Sequence, residues 1–261
     1  MEEKIMSKIS MPYLRMGSGE PLVLIHGFSE WKEGWYKQFE LASQYDLIIP
    51  DLRGHGNNFT LDGISMKNFA NDIILLLDEL NIENANICGY SMGGAVAQEI
   101  YHQAPEKCKS LILACTFFYS PKHLGKLVKE VRKLESFILS PDQKKVIAAK
   151  KCFYSWNVEN FIAFDKCFKP NKDAIKKVED TILDIDNRSL LPNIKVPTLI
   201  IGGQYDTLLP VWISIQMYKK IPNAKLCILS KSGHGAKIEE SERFNQTIHH
   251  FINEQALLPS K

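Results

Sequence analysis

Residues 86 to 94, Asn86-Ile87-Cys88-Gly89-Tyr90-Ser91-Met92-Gly93-Gly94, leave few folds open to this chain. An apolar run ends at Cys88, a G-x-S-x-G pattern follows from Gly89 to Gly93, and Ala95-Val96-Ala97-Gln98-Glu99-Ile100 then reads as a helix. A strand that turns straight into a helix presents the residue at its apex, Ser91, in a strained and exposed position. Strand and helix pass close together at such a turn, so small residues are needed on both sides of the apex. Gly89, Gly93 and Gly94 meet that need. A serine in a glycine-rich turn also occurs by chance in unrelated chains, so a chemical role for Ser91 requires partners elsewhere.

The flanking sequence repeats the same rhythm. Leu22-Val23-Leu24-Ile25, Leu47-Ile48-Ile49, Leu111-Ile112-Leu113-Ala114 and Pro197-Thr198-Leu199-Ile200-Ile201 are continuous apolar runs, the pattern of parallel strands covered on both faces. Between them lie amphipathic stretches. Trp31 to Tyr45 has helical spacing of Trp35, Phe39 and Leu41, and Ser65 caps a helix through Leu80 with Phe69, Ile73, Leu76 and Leu77 on one face. Residues 5 to 16 hold one or two edge strands; a helix over 211 to 220, a strand over 225 to 229 and a helix over 241 to 255 complete the chain. Strand and helix in this alternation predict an α/β fold, a mostly parallel central sheet with helices on both faces.

From 119 to 186 the rhythm stops, and four helical stretches follow without a strand, over about 121 to 138, 141 to 154, 158 to 168 and 171 to 185. The expected division is therefore a core of residues 1–118 and 187–261 with a helical cap, 119–186, inserted in it. The cap's apolar stripe, including Val131, Leu134, Phe137, Phe153, Trp156, Phe161, Phe164 and Phe168, is expected to face the core and in part to line a pocket. Its lysines, Lys144, Lys145, Lys150, Lys151, Lys176 and Lys177, read as a solvated outer face.

Composition excludes several classes of partner. In 261 residues, 32 basic side chains against 30 acidic ones give a net charge of +2, so no whole-molecule field draws the chain to nucleic acid or to an anionic membrane. No apolar run reaches membrane length, and the N-terminal residues lack the basic and apolar segments of an export signal, so a cytoplasmic location is expected. The six cysteines show no C-x-x-C spacing and lie in apolar runs, as reduced core residues do; the histidines lack metal-ligand spacing. The G-x-G of Gly17-Ser18-Gly19 precedes no helix and is no nucleotide fingerprint. Neither a cofactor nor a metal is implied.

Two further residues stand just past predicted strands, Asp206 and His234. In open α/β sheets, ligands gather at the carboxyl ends of strands, where residues from distant parts of a chain converge. A serine hydroxyl is a weak nucleophile at neutral pH and needs an imidazole to take its proton; the imidazole needs a carboxylate to fix its tautomer. Asp51 and Asp184 compete for the carboxylate's role, and the place of Asp206 after a strand favours it.

With these residues in view, the chain resembles the α/β-hydrolase fold superfamily in its lidded serine hydrolase branch. The likeness spans nearly the whole length, through His26-Gly27-Phe28, Asp51-Leu52-Arg53-Gly54-His55-Gly56, Gly89 to Gly94, Asp206, and Gly233-His234 followed by Glu239. It implies Ser91 as nucleophile, His234 as base and Asp206 as orienting acid. The backbone N–H groups of Phe28 and Met92 would form the oxyanion hole, where each donor contributes about 2.7–4 kcal/mol to transition-state stabilisation. It also implies that His26 and His55 bond loop backbone, that Arg53 braces its loop, and that Arg188 and Glu239 are structural. The sequence departs from the pattern at Asn57-Asn58, where relatives often carry a serine.

The implied activity is hydrolysis of a small to medium carboxylic ester, lactone or thioester through an acyl-enzyme, with a small-molecule substrate as the expected partner. A serine at position 91 disfavours the dehalogenase and epoxide hydrolase branches, which use aspartate there. The same triad serves carbon–carbon bond hydrolases and a lyase of menaquinone synthesis, whose carboxylate substrates call for arginines. Only Arg132 lies between Tyr119 and Asp186, and Ala95 stands where the lyase resemblance leads one to expect arginine. A ligand-binding receptor with little turnover is the reading from another class.

Overall fold

The computed structural model describes residues 11–256 apart from 122, 124, 126–129, 132, 133, 135 and 136. The expected helix over 121 to 138 falls largely outside the described residues, as do Arg132 and the N-terminal part of the 5-to-16 segment. The strands are β1 (Tyr13–Met16), β2 (Glu20–Ile25), β3 (Tyr45–Pro50), β4 (Ala85–Tyr90), β5 (Cys108–Ala114), β6 (Thr198–Gly203) and β7 (Ala224–Leu229). They form one seven-stranded sheet in the order β1-β3-β2-β4-β5-β6-β7, with β1 antiparallel to β3 and every other pairing parallel.

Alternation along each strand explains why the runs are apolar throughout. Val23, Ile25, Ile87, Leu111, Leu113 and Ile200 join a core on one face; Leu22, Leu24, Cys88, Ile112, Leu199 and Ile201 join a second core on the other. The first core is closed by helices α1 (Met66–Glu79) and α2 (Met92–Gln103), through residues such as Phe69, Ile73, Val96 and Ile100. The second is closed by the segment 32–43 and the C-terminal helix Ser241–Ala256, through Trp35, Leu41, Phe244 and Ile248. At the start of α1, Ser65 Oγ accepts the Asn68 N–H at 3.1 Å, a cap that stabilises a helix by about 1 kcal/mol.

Segment Lys32–Ser43 differs from expectation: it is a twelve-residue 3₁₀ helix, an unusual length for this geometry. Its deeply buried side chains are Lys32, Trp35, Gln38 and Leu41, a spacing of three that matches three residues per turn. Phe39, counted on the buried stripe at a 3.6 period, is only half-buried.

Between β5 and β6 the chain forms α3 (Pro141–Cys152), α4 (Val158–Cys167) and α5 (Ile175–Leu183). Ser140 and Gln143 make a reciprocal capping box at the start of α3, with Pro141 where a missing N–H is harmless. The expected apolar stripe is corrected in part. Phe153 and Phe164 are buried together with Ala149, and Phe161 and Phe168 pack against them. Leu134, at 62% exposure, and Phe137, at 79%, lie in solvent, and Val131 and Trp156 are about half exposed. The cause is a narrow seat. Helix α4 buries Ala163, Phe164 and Cys167 on one side and leaves Val158 and Ile162 exposed on the other. Of the lysines, Lys150, Lys151, Lys176 and Lys177 are exposed, whereas Lys144 and Lys145 are half-buried and Lys145 pairs with Asp165.

Candidate active site

The turn after β4 is built by close approach. A Cβ at Gly89 would collide with Gly93 O, and one at Gly93 with Ile25 O on the neighbouring strand. With both positions stripped to glycine, Ser91 is held at φ 53°, ψ −122°, a conformation that costs a non-glycine residue roughly 1–3 kcal/mol. Hydrogen bonds hold it there: Ser91 N–H donates to Ala114 O at 2.9 Å, and the Thr116 hydroxyl donates to Ser91 O at 2.5 Å. Its side chain is left half-buried at the sheet's carboxyl edge.

Asp206 follows β6 and His234 follows β7, so both loops open at the same edge. His234 Nδ1 stands 2.7 Å from Asp206 Oδ2, and its Nε2 stands 3.0 Å from Ser91 Oγ. The carboxylate's other oxygen accepts the N–H groups of Leu208 and Leu209 at 2.9 and 2.8 Å. Facing a carboxylate, Nδ1 carries the ring proton, which leaves Nε2 as the acceptor toward the serine hydroxyl. His234 and Asp206 are both buried, at 6% and 5% exposure, so little water competes for these bonds. The three residues singled out from sequence are thus brought into one hydrogen-bonded line.

The competing carboxylates are elsewhere. Asp51 is fully buried and accepts the Lys32 ammonium at 2.9 Å and the N–H groups of Lys32 and Asn57. Asp184 is exposed beyond the end of α5. His26 Nδ1–H donates to Gly27 O and its Nε2 accepts Leu52 N–H, while His55 Nδ1–H donates to Arg53 O. Both histidines therefore bond loop backbone. Burial lowers both imidazoles, and His55 adds to the lowering at His26; the bonds to Gly27 O and Arg53 O oppose it only in part, and His55 falls to about 4. Arg53 pairs with Asp72 and donates to Asp62 O. Arg188 pairs with Asp186 and lies over the Tyr119 ring.

Gly27 and Phe28 follow β2 beside the turn, and a Cβ added to Gly27 would stand 3.3 Å from Ser91 Cβ. Met92 is the first residue of α2. The first N–H groups of a helix have no partner within it, and Met92 lies at such a start. The cysteines offer no rival nucleophile: Cys88 and Cys115 are buried, and burial raises both thiols, keeping them protonated.

Sequence reasoning did not find how the inserted helices touch this site. The last turn of α3 is tied to both loops of the line: Gly235 N–H donates to Cys152 O at 2.7 Å, and the Thr207 hydroxyl donates to Lys151 O at 2.9 Å. Glu239 joins them as well. One of its oxygens accepts Gly233 N–H at 2.7 Å and the other accepts the N–H groups of Tyr154 and Ser155 at 2.8 and 3.0 Å. Burial nonetheless raises the Glu239 carboxyl above the usual range. Each of these bonds has a backbone group of a distant segment as one partner, which leaves no mark in side-chain patterning.

Two surface clefts, of about 400 and 440 Å³, are lined by residues of the 61–66 segment, α2 and α5, and neither is lined by Ser91, Asp206 or His234. Hydrogen-bond geometry, rather than hollow size, locates the chemistry. Among the described residues no group of His, Cys, Asp and Glu could hold a metal, and no helix is long and apolar enough to cross a membrane.

Comparison with known proteins agrees with this architecture. A family model for the alpha/beta hydrolase fold matches residues 20–137, and one for TAP-like protein matches residues 179–259. A protein of Azorhizobium caulinodans provisionally named as the carbamate hydrolase RutD is 26% identical over 250 residues, covering 91% of this chain and 93% of the relative. An esterase from Exiguobacterium antarcticum superimposes with a TM-score of 0.83 at 24% identity, covering 93% of this chain and 95% of the other. The enol-lactonase from Burkholderia xenovorans LB400 does so with a TM-score of 0.82 at 22% identity, covering 93% and 96%. The two structural likenesses establish a shared fold.

Proposed function

This chain belongs to the α/β-hydrolase superfamily, and on that premise we propose that it is a serine hydrolase cleaving a small to medium carboxylic ester, lactone or thioester. The observation that carries the proposal is the line from Asp206 through His234 to Ser91, with links of 2.7 and 3.0 Å. In this reading Ser91 Oγ attacks the carbonyl carbon while its proton passes to His234 Nε2. Asp206 holds Nδ1–H and stabilises the imidazolium that forms. The carbonyl oxygen, now negative, sits between the N–H groups of Phe28 and Met92. The imidazolium then protonates the leaving alcohol or thiol as the carbon–heteroatom bond breaks, leaving the acyl group on Ser91. Water, deprotonated by the same Nε2, attacks that ester and releases the acid.

Residues 119–186 serve as a cap in this proposal, and their contacts with the loops of Asp206 and His234 support it. Phe153, whose ring lies against Gly235, brings an apolar surface beside the imidazole. The names carbamate hydrolase, esterase and enol-lactonase share an acyl carbon bonded to a heteroatom, and although a meta-cleavage product hydrolase is similar too, Ala95 stands where the lyase of this fold calls for arginine, which supports the heteroatom class. The test is labelling by a fluorophosphonate together with turnover of p-nitrophenyl acetate. Both are expected for the wild type and lost in Ser91→Ala; a wild type that neither labels nor turns over a panel of esters, thioesters and lactones contradicts the proposal.

A further inference from the structure

Lys237 is buried to 1% exposure three residues after His234. Its ammonium donates to Gly34 O at 2.7 Å, lies 3.2 Å from Glu30 Oε2, and stands 4.8 and 4.9 Å from the ring centres of Trp35 and Tyr90. A buried charge is costly unless it is paired, and an apolar side chain of the same volume would fill this space without that cost. The charge has a definite target. Glu30 Oε2 also accepts Gly27 N–H at 3.1 Å, and Glu30 N–H donates to Gly27 O at 3.2 Å, so Glu30 grips the turn 27–30 at both ends. That turn contains Ser29 at φ 59°, a left-handed conformation that a serine keeps only under constraint.

The turn also holds the peptide N–H of Phe28, and its Gly27 abuts Ser91. On the other side, the Tyr90 hydroxyl donates to His234 O at 2.8 Å while the Tyr90 ring lies within cation–π distance of Lys237. One side chain thus spans from the loop that carries the imidazole to the loop that carries a proposed oxyanion donor. We infer that Lys237 and Glu30 are a positioning pair for the reaction: the ion pair fixes the turn 27–30 so that Phe28 N–H points at the developing oxyanion. The inference rests on the serine hydrolase proposal and deepens it. Neither residue touches substrate. Their effect passes through the direction of one N–H bond.

The experiment compares the full chain with Glu30→Ala, Glu30→Gln and Lys237→Met, using p-nitrophenyl acetate as substrate and 2,2,2-trifluoroacetophenone as a reversible hemiketal-forming inhibitor. Misdirecting one oxyanion donor is expected to lower kcat about 10- to 100-fold in Glu30→Ala and Lys237→Met, with KM changed by no more than about threefold. The inhibition constant should weaken by the same factor as kcat/KM falls, because the inhibitor's oxyanion uses the same donor. Glu30→Gln keeps an oxygen for Gly27 N–H but removes the charge that pairs with Lys237, so its activity should fall with that of Lys237→Met rather than return to the wild-type level. A kcat that stays at the wild-type level in Glu30→Ala overturns the inference, as does a loss of activity with an unchanged inhibition constant. Should Lys237→Met fail to fold, Glu30→Gln decides, because it removes the ion pair at nearly constant shape: wild-type kcat in Glu30→Gln overturns the inference. Wild-type labelling and turnover with indifferent variants sinks the positioning role alone; a wild type that never labels sinks both.

Discussion

The carboxyl edge of the sheet and the helices inserted between β5 and β6 are built on different terms. At the edge, every residue of β3, β4 and β6 is buried, two cores press on the strands from opposite faces, and glycines stand where any side chain would collide. In the insertion, α3 and α4 are held by a small cluster around Ala149, Phe153 and Phe164, and Ala174 and Val178 reach the main core, while Phe137, Val158 and Ile162 face water. The first region holds its loops between packed strands and backbone in contact, the terms a proton-transfer geometry needs. The second is free to vary in its outer face without disturbing that geometry.

The largest effect expected from this contrast is chemical. Ser91→Ala or Asp206→Asn should lower kcat about 10⁴-fold or more. The thermal midpoint of each variant should stay near wild type, since the sheet rather than the triad carries stability; steady-state kinetics and calorimetry check the pair of results. Gly89→Ala is next, because its Cβ would meet Gly93 O and neither backbone can withdraw. A loss of about 4 kcal/mol or more is expected in denaturant titration. Phe153→Ala tests the seat of the insertion and should cost about 2–4 kcal/mol, less if that segment unfolds separately from the sheet. A second, earlier transition in hydrogen exchange over 141–183 would sharpen the comparison.

The edge also predicts a pH response. His26 and His55 are held neutral by burial, with folded-state values below the ordinary 6.5 and His55 at about 4. Below pH 6.5 the unfolded chain takes up protons at these sites while the folded chain does not, so stability falls as pH drops from about 6.5 toward 4. Denaturant midpoints between pH 7 and pH 4 should show that slope, and His55→Gln should make it shallower. The smallest effect belongs to the outer face of the insertion. Phe137→Ser should change stability by less than about 0.5 kcal/mol, as exposed positions do. A larger loss there would erase the distinction between the two regions.

Much of the edge was legible in the residues because its rules are local. A strand covered on both faces must be apolar throughout, a strand-to-helix turn must be small on both sides, and residues that follow strands must meet. Hence Ser91, Asp206 and His234 could be named from their places alone. Three things were hidden. The segment 32–43 buries every third residue, and one of those is Lys32, which pairs with Asp51; a period-3.6 template passes over both. Lys237 looks like any helix-surface lysine until the fold places Glu30 and two aromatic rings around it. The insertion shows more apolar residues than its seat can accept, and hydrophobicity alone does not say which of them are covered.

The bonds that Lys151 O and Cys152 O accept from the loops after β6 and β7 carry a mechanical consequence. A guest wedged beneath the inserted helices would lever on the imidazole through the hydrogen bond from Gly235 N–H to Cys152 O, which no side-chain substitution removes. Occupancy and reactivity would then be one variable, and a poorly fitting guest would silence the serine without ever touching it.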